Sequence, residues 1–209
     1  MTESTLWARC GAHIYDPFLA LSERRGMAAR RHELLAAARG RALEIGAGTG
    51  LNLAGYPAAV EELVLAEPEP AMRARLERRV ARGDRPARVV DAPAETLPFA
   101  GASFDTVVST LVLCTVADAE AALAEVHRVL KPGGRLLFIE HVRADAERLA
   151  HWQDRLARPW SAFAQGCRSN QPTLALLAAS PLRVERAEPA RWRGMPALVR
   201  PLVIGLAQA

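Results

Sequence analysis

The chain has 209 residues, 50% of them apolar and 24% charged, which suits one globular domain and excludes a disordered chain, a collagen-like repeat and a small disulfide scaffold. Its 27 basic and 23 acidic residues leave a net charge of +4. Lys131 is the only lysine, and arginines interleave with Glu and Asp along the chain, so the charge marks no nucleic-acid face.

The first residues, Met1-Thr2-Glu3-Ser4-Thr5, carry no basic-then-apolar leader. No apolar run reaches the length of a membrane span. Cys10, Cys114 and Cys167 lie far apart without CxxC spacing, which points to a reducing cytoplasm and away from a zinc site or disulfide framework. The expectation is a cytoplasmic protein without stable membrane insertion and without a bound metal.

In chain order, residues 16–39 are rich in Ala, Leu, Arg and Glu and predict one or two helices, stopped by Gly40. Arg41 to Ile45 reads as a first strand running into Gly46-Ala47-Gly48-Thr49-Gly50, and Leu51 to Ala54 as a short helix. Glu62 to Glu67 is a second strand, and Glu69 to Arg82 an amphipathic helix with Met72, Leu76 and Val80 on one face. Val89 to Asp91 and Phe104 to Ser109 are the third and fourth strands, the latter apolar enough for burial on both faces.

Asp118 is placed to cap a helix through Leu130, and Pro132-Gly133-Gly134 reads as a turn before a fifth strand, Arg135 to Glu140. Helices over Ala146 to Arg158 and Thr173 to Ala179 precede strands at Leu182 to Glu185 and Leu202 to Ala207. Strands alternating with helices predict an α/β fold with a mostly parallel, doubly wound sheet.

A glycine turn between a first strand and a helix lets backbone approach a ligand closely. A dinucleotide site wants G-x-G-x-x-G, but here Leu51 stands where the last glycine belongs, and no P-loop lysine follows. A pyrophosphate is therefore not the expected ligand. Glu67, ending the second strand, is placed to accept both hydroxyls of a ribose. Asp91, ending the third, is placed to accept from an adenine amino group, with the NH of Ala92 near a ring nitrogen. Together these strand ends describe an adenosine pocket.

These residues resemble the class I S-adenosylmethionine-dependent methyltransferases. Leu43-Glu44-Ile45-Gly46-Ala47-Gly48-Thr49-Gly50 resembles their first motif, and Glu67-Pro68-Glu69-Pro70-Ala71-Met72 their ribose-acid motif. Asp91-Ala92 with Leu97-Pro98-Phe99 resembles the adenine loop; Ser103-Phe104-Asp105 and Arg128 to Gly134 match the segments before the fourth and fifth strands.

Thr110-Leu111-Val112-Leu113-Cys114-Thr115-Val116, Ile139-Glu140-His141-Val142 and Gly166-Cys167 are similar to the thiol S-methyltransferase branch and its small bacterial relatives. The vertebrate members of that branch carry an N-terminal hydrophobic anchor, and the first residues here show no such run, so membrane attachment is not expected to carry over. Where bacterial relatives show His and Asn-Arg after the Gly-Cys pair, this chain has Arg168 and Asn170-Gln171.

The resemblance implies a Rossmann-like sheet of about seven strands with an antiparallel last strand, S-adenosylmethionine as cofactor and a small-molecule methyl acceptor. The cofactor-binding set it implies is Tyr15, Glu44, Gly46, Ala47, Gly48, Gly50, Glu67, Pro68, Met72, Asp91, Ala92, Thr110 and Leu111. Residues 1–209 are expected to form one domain, with a helical lid over 1–40, a cofactor core over 41–142 and acceptor-side helices and strands over 143–209. The acceptor expected is a thiol. Quinol C-methyltransferases and phospholipid N-methyltransferases share the core motifs and compete.

Nucleic-acid amino-methyltransferases present an Asn/Asp-Pro-Pro-aromatic motif after the fourth strand. Here that position reads Ser109-Thr110-Leu111-Val112, so no nucleic-acid partner is expected. A non-catalytic binding relative that keeps the pocket is the third alternative; the intact glycine turn, Glu67 and Asp91 argue against decay of the site.

A thiol must react as its thiolate, which a base or a positive field assists. His141, just past the fifth strand, is the candidate catalytic residue, either as base or as a histidine lining the pocket, since imidazole titrates near about 6.5. Tyr15 is placed to close over the cofactor or to pack beside a capping Asp16. Cys114 and Cys167 are either small buried hydrophobes or walls of the acceptor cavity, and Trp152, Trp160 and Phe163 either line that cavity or pack in the core.

Overall fold

A computed structural model describes residues 14–209. Its strands, β1 (Gly40–Ile45), β2 (Val60–Ala66), β3 (Arg88–Val90), β4 (Phe104–Thr110), β5 (Leu130–His141), β6 (Arg183–Arg191) and β7 (Pro201–Gln208), form one sheet in the order β3-β2-β1-β4-β5-β7-β6. β7 runs antiparallel to both β5 and β6, while the pairings among β1 to β5 are all parallel. This is the doubly wound sheet with an antiparallel last strand that the sequence predicts.

The strands alternate faces, and each face carries its own core. Leu43, Ile45, Val107, Leu136 and Phe138 pack toward α4 (Ala119–Val129) and α6 (Thr173–Ala179), through Leu123, Val126 and Leu177. Ala42, Val108, Leu137 and Ile139 pack the other way, against Leu19 of the helix over 14–22 (α1), Leu34 and Leu35 of α2 (Ala28–Leu35), and Leu76 of α3 (Pro70–Arg82). Strands buried on both sides have no polar alternation, which is why β4 reads as a continuous apolar run.

Local chemistry sets the helix ends. Asp118 caps α4 by accepting from the NH groups of Glu120 and Ala121, both at 3.0 Å. Pro70 opens α3, where its missing NH costs nothing. Between α1 and α2 the chain kinks at Arg25 and Gly26, the latter at φ +116, so the predicted 16–39 stretch is two helices.

Several boundaries differ from expectation. Gly40 does not stop α2, which already ends at Leu35; at φ +59 it opens β1 instead. The stretch Pro132-Gly133-Gly134 is absorbed into β5 as a local irregularity, with Gly133 at φ +76. The short helix after the glycine turn is one 3-10 turn, Leu53–Gly55. Helix α5 (Glu147–Phe163) continues past Pro159, and β6 reaches Arg191. β6 is the mostly exposed edge strand, so its charged residues carry no apolar pattern to mark it, and the same charges discourage edge pairing.

Candidate active site

The strand order reverses between β1 and β4, and ligands of doubly wound sheets bind outside the carboxyl ends at such a point. The loop after β1 is built for close approach. Gly46 takes φ +55, and a Cβ there would lie 2.7 Å from Val112 Cγ2, which locks this loop against the one after β4. Gly48 takes φ +58, but a Cβ there would meet nothing nearer than the Gly46 carbonyl oxygen at 4.0 Å, so its outer side is open.

Glu67 holds this loop in shape. Its Oε2 accepts from the Gly48 NH at 2.7 Å and its Oε1 from the Glu69 NH at 2.9 Å. Burial raises its pKa despite those two bonds. Each oxygen keeps a further lone pair for a ligand. Ala47 is tied to β2 through its NH to the Ala66 carbonyl, 3.0 Å, and Met72 is buried on α3 below; Pro68 is exposed. Asp91, just past β3, is exposed and paired with Arg73 at 2.8 Å, while the neighbouring Ala92 is buried. An adenine amino group at Asp91 would share the carboxylate with that guanidinium.

The helix over 14–22 is latched to the glycine turn. Asp16 accepts from Thr49 Oγ1 at 2.5 Å and from Arg79 at 2.7 Å. Tyr15, beside this latch, lines an adjoining apolar cavity, where burial raises its phenol to about 12. Leu111, after β4, adopts φ +62, an uncommon conformation for a branched side chain, and its NH is fixed to the Ile139 carbonyl at 2.8 Å.

Two buried acids anchor these loops from behind. Glu44 accepts from Asn52 Nδ2 at 2.9 Å and Tyr56 OH at 2.7 Å, and Asn52 also donates to Thr110 Oγ1 at 3.0 Å. Arg31 joins the group through Asn52 Oδ1 at 3.1 Å. Both Glu44 oxygens are thus bonded within this network, which secures the segment after the glycine turn. Glu140 accepts from Ser109 Oγ at 2.6 Å and from the NH groups of Val112 and Leu113, each at 3.1 Å. Burial pushes each of these carboxyls up to about 7.

An apolar cavity of about 140 Å³ opens beside the crevice. Tyr15, Phe18, Leu111, Trp160 and Trp192 supply much of its wall, and Cys114, His141 and Cys167 line it together. The two sulfurs are 3.6 Å apart and share a hydrogen bond. That bond, and then His141 beside it, pull the Cys167 thiol down against its burial, while the Cys114 thiol is pushed up by the same bond and by burial. His141 is 3% exposed, its ring 5.3 Å from that of Trp192, and its Nδ1 has no hydrogen-bond partner.

The three side chains come from three segments that the backbone clamps together. The Arg168 NH donates to the Cys114 carbonyl at 2.8 Å, and its guanidinium to the Val116 carbonyl at 2.5 Å. Thr173 Oγ1 donates to the His141 carbonyl at 2.6 Å. Gln153, fully buried, accepts from the Ala144 NH and donates to the carbonyls of Ser169 and Leu198.

The structure therefore brings His141, Tyr15 and Leu111 to one cavity, with the glycine turn and Glu67 at the adjoining crevice. Cys114 and Cys167 are cavity walls as well as buried groups. Trp160 and Phe163 line the cavity, but Trp152 is 49% exposed and lies outside it, because it falls on the solvent side of α5. Cys10 lies outside the described residues. Sequence reasoning missed Phe18, Trp192, Met195 and the Gln153 clamp; only the aromatic Trp192, in a segment of otherwise polar residues, offered a signal.

Residues 43–138 match a family of methyltransferase domains. The chain is 36% identical over 173 residues to the thiol S-methyltransferase TMT1A of Homo sapiens, covering 79% of this chain and 69% of that protein. It is 37% identical over 135 residues to the thiol S-methyltransferase TMT1B of Rattus norvegicus, 63% of this chain and 55% of the relative, so it spans only part of the length of either. A solved structure from Thermotoga maritima, a SAM-dependent methyltransferase and possible histamine N-methyltransferase, aligns with a TM-score of 0.71 at 21% identity over 97% of both chains, a likeness of fold.

A mostly parallel sheet whose strand order reverses beside a G-x-G-x-G turn, with an acid at the next strand end, is a Rossmann-like nucleotide-binding frame, and the family match makes it a methyltransferase domain. The chain belongs to the class I S-adenosylmethionine-dependent methyltransferases, and it is an enzyme of that class.

Proposed function

We propose that this enzyme methylates the sulfur of a small, apolar thiol. The observation that carries the reading is the acceptor-side cavity: its wall is apolar, and Cys114, Cys167 and His141 meet in it at the carboxyl ends of β4 and β5, next to the glycine turn. The thiol S-methyltransferases among its relatives support the same acceptor class.

The residues present fit the cofactor. The open side of Gly48 leaves space that a side chain would fill. We assign Gly46, Ala47, Gly48 and Gly50 to the cradle, Glu67 to the ribose hydroxyls, Asp91 and Ala92 to the adenine, Pro68 and Met72 to the pocket floor, and Tyr15, Thr110 and Leu111 to the sulfonium end, with Glu44 holding the cradle from behind. S-adenosylmethionine supplies a methyl group on a sulfonium, which the acceptor sulfur displaces in line. The protein's part is to hold the reacting atoms collinear and to keep water out, and the aromatic wall serves both ends. We assign His141 the catalytic role of stabilising the acceptor sulfur as its thiolate, either directly or through an ion that it helps to hold.

We infer a small-molecule acceptor rather than a nucleic acid, because Leu111 and Val112 are buried where a flipped base would be gripped. Among the described residues no helix is long and apolar enough to cross a membrane. We place the protein in the cytoplasm, where two thiols 3.6 Å apart stay reduced.

The test is an acceptor panel read by S-adenosylhomocysteine release, containing alkyl and aryl thiols, hydrogen sulfide, quinols and phosphatidylethanolamine. Turnover of the thiols is expected. Turnover of a quinol or of phosphatidylethanolamine, with none on any thiol, overturns the reading.

A further inference from the structure

We propose that Cys114, Cys167 and His141 form a binding site for zinc or a similarly thiophilic divalent cation, with one coordination position open to the acceptor cavity. The proposal rests on the thiol reading only for what fills that open position.

The geometry comes first. Two thiolates on a tetrahedral zinc, each about 2.3 Å from the ion, stand about 3.8 Å apart. The sulfurs of Cys114 and Cys167 are 3.6 Å apart, without a disulfide between them. An imidazole nitrogen of His141 lies within 4.8 Å of both sulfurs. Bringing it onto a shared ion takes a movement of about 1 Å.

The donor set is selective. Two sulfurs and an imidazole favour zinc over magnesium or calcium, and among the described residues no carboxylate lines the cavity to offer a hard-ion alternative. All three residues are buried, so an ion there would be shielded from water. His141 Nδ1 is buried without a partner, which is uncommon for a polar atom in a folded interior and is resolved if that nitrogen is the one that binds the ion. The Arg168 NH on the Cys114 carbonyl and the Thr173 hydroxyl on the His141 carbonyl fix the three segments that carry the ligands, the kind of support metal sites rely on.

Three protein ligands and one open position are the arrangement of catalytic rather than structural zinc. In this enzyme the open position faces the acceptor. A thiol binding there gives its proton to solvent and sits as a zinc-held thiolate. A sulfur lone pair then forms the new S–C bond as the methyl–sulfonium bond breaks, its electron pair remaining on the sulfur of S-adenosylhomocysteine. The product thioether is neutral and holds the ion weakly, so it leaves, and the cation stays divalent throughout.

The experiment uses the full chain, stripped of metal and titrated anaerobically with cobalt(II) as a visible stand-in for zinc. One equivalent is expected to bind with thiolate-to-cobalt charge transfer in the near ultraviolet and tetrahedral bands in the visible, both erased by one equivalent of zinc. Cys114→Ser, Cys167→Ser and His141→Gln should each weaken binding by about 10-fold or more. Calorimetric binding of S-adenosylmethionine shows that each variant is folded. An alkyl thiol added without methyl donor should intensify the charge transfer as a third thiolate joins the ion.

Absence of the charge-transfer band in the wild type, or an unchanged band in the Cys114→Ser/Cys167→Ser double variant, overturns the metal site. Thiol turnover by a protein that takes up neither metal overturns it too, while leaving the thiol reading in place. A cobalt site that forms in a protein turning over no thiol supports the ion and overturns the acceptor assignment instead.

Discussion

Replacing Glu44 with glutamine isolates the energetic consequence of burying an acid behind the cofactor cradle. In the unfolded chain this carboxyl ionises near its ordinary value of 4.5; in the folded protein burial raises it to about 7, against the hydrogen bonds from Tyr56 and Asn52. Between those values the folded state keeps a proton that the unfolded state has lost. The stabilisation from this group is therefore complete below pH 4.5 and declines as pH rises through 7, beyond which it is gone. At 1.36 kcal/mol for each tenfold change in the proton equilibrium, the total is about 3 kcal/mol.

Glutamine is nearly isosteric and cannot ionise. Its oxygen can accept from Asn52, and its amide can donate to the Tyr56 oxygen, at a cost of about 1 kcal/mol for the Tyr56 proton that loses its acceptor. Glu44→Gln should thus be slightly less stable than wild type near pH 4.5 and more stable by about 2 kcal/mol above pH 7. Urea denaturation of both proteins across that range measures the difference directly. Glu140 titrates alike in both and cancels. Parallel pH profiles, or a variant that loses ground as pH rises, would refute the account of Glu44 as a buried, network-bound acid.

Gly48→Val should abolish S-adenosylmethionine binding in calorimetry, since a branched side chain at φ +58 is strained and would occupy the open side of the cradle. Glu67→Ala removes the acceptor that holds the Gly48 and Glu69 NH groups and should weaken cofactor binding by about 1.5–3 kcal/mol, the range for a lost hydrogen bond to a charged group; unchanged affinity would remove Glu67 from the site. His141→Ala should lower kcat on a thiol by roughly 10²-fold with cofactor affinity near wild type, and normal turnover would exclude it from the mechanism.

The cofactor end of the site was legible because its parts are local. Gly46 to Gly50 lie within one turn, and Glu67 and Asp91 are fixed by where β2 and β3 end, so strand periodicity places them without knowledge of the whole fold. Strands β1, β2 and β4 read correctly because burial on both faces removes polar alternation. β6 read short for the opposite reason: at the sheet edge, Arg183, Glu185, Arg186 and Glu188 leave no apolar face to recognise. The role of Glu44 was legible only as a motif position, since its partners Asn52 and Tyr56, and Arg31 behind Asn52, are brought to it by the folding of other segments.

The acceptor end is assembled from residues that no local pattern connects. Cys114 follows β4, His141 ends β5, and Cys167 lies beyond α5; each alone reads as an ordinary buried residue, and the wide cysteine spacing argues against a metal cluster. What joins them is the sheet. Parallel pairing of β4 with β5, Thr110 beside Ile139, brings the loops that follow both strands to one edge. The Arg168 NH on the Cys114 carbonyl then folds the segment after α5 down onto that edge. A parallel sheet thus imposes at its carboxyl end a convergence that sequence separation conceals, which explains how a chain can carry its cofactor motifs in a handful of adjacent residues while the grouping of Cys114, His141 and Cys167, on which the proposed acceptor chemistry rests, exists only in three dimensions.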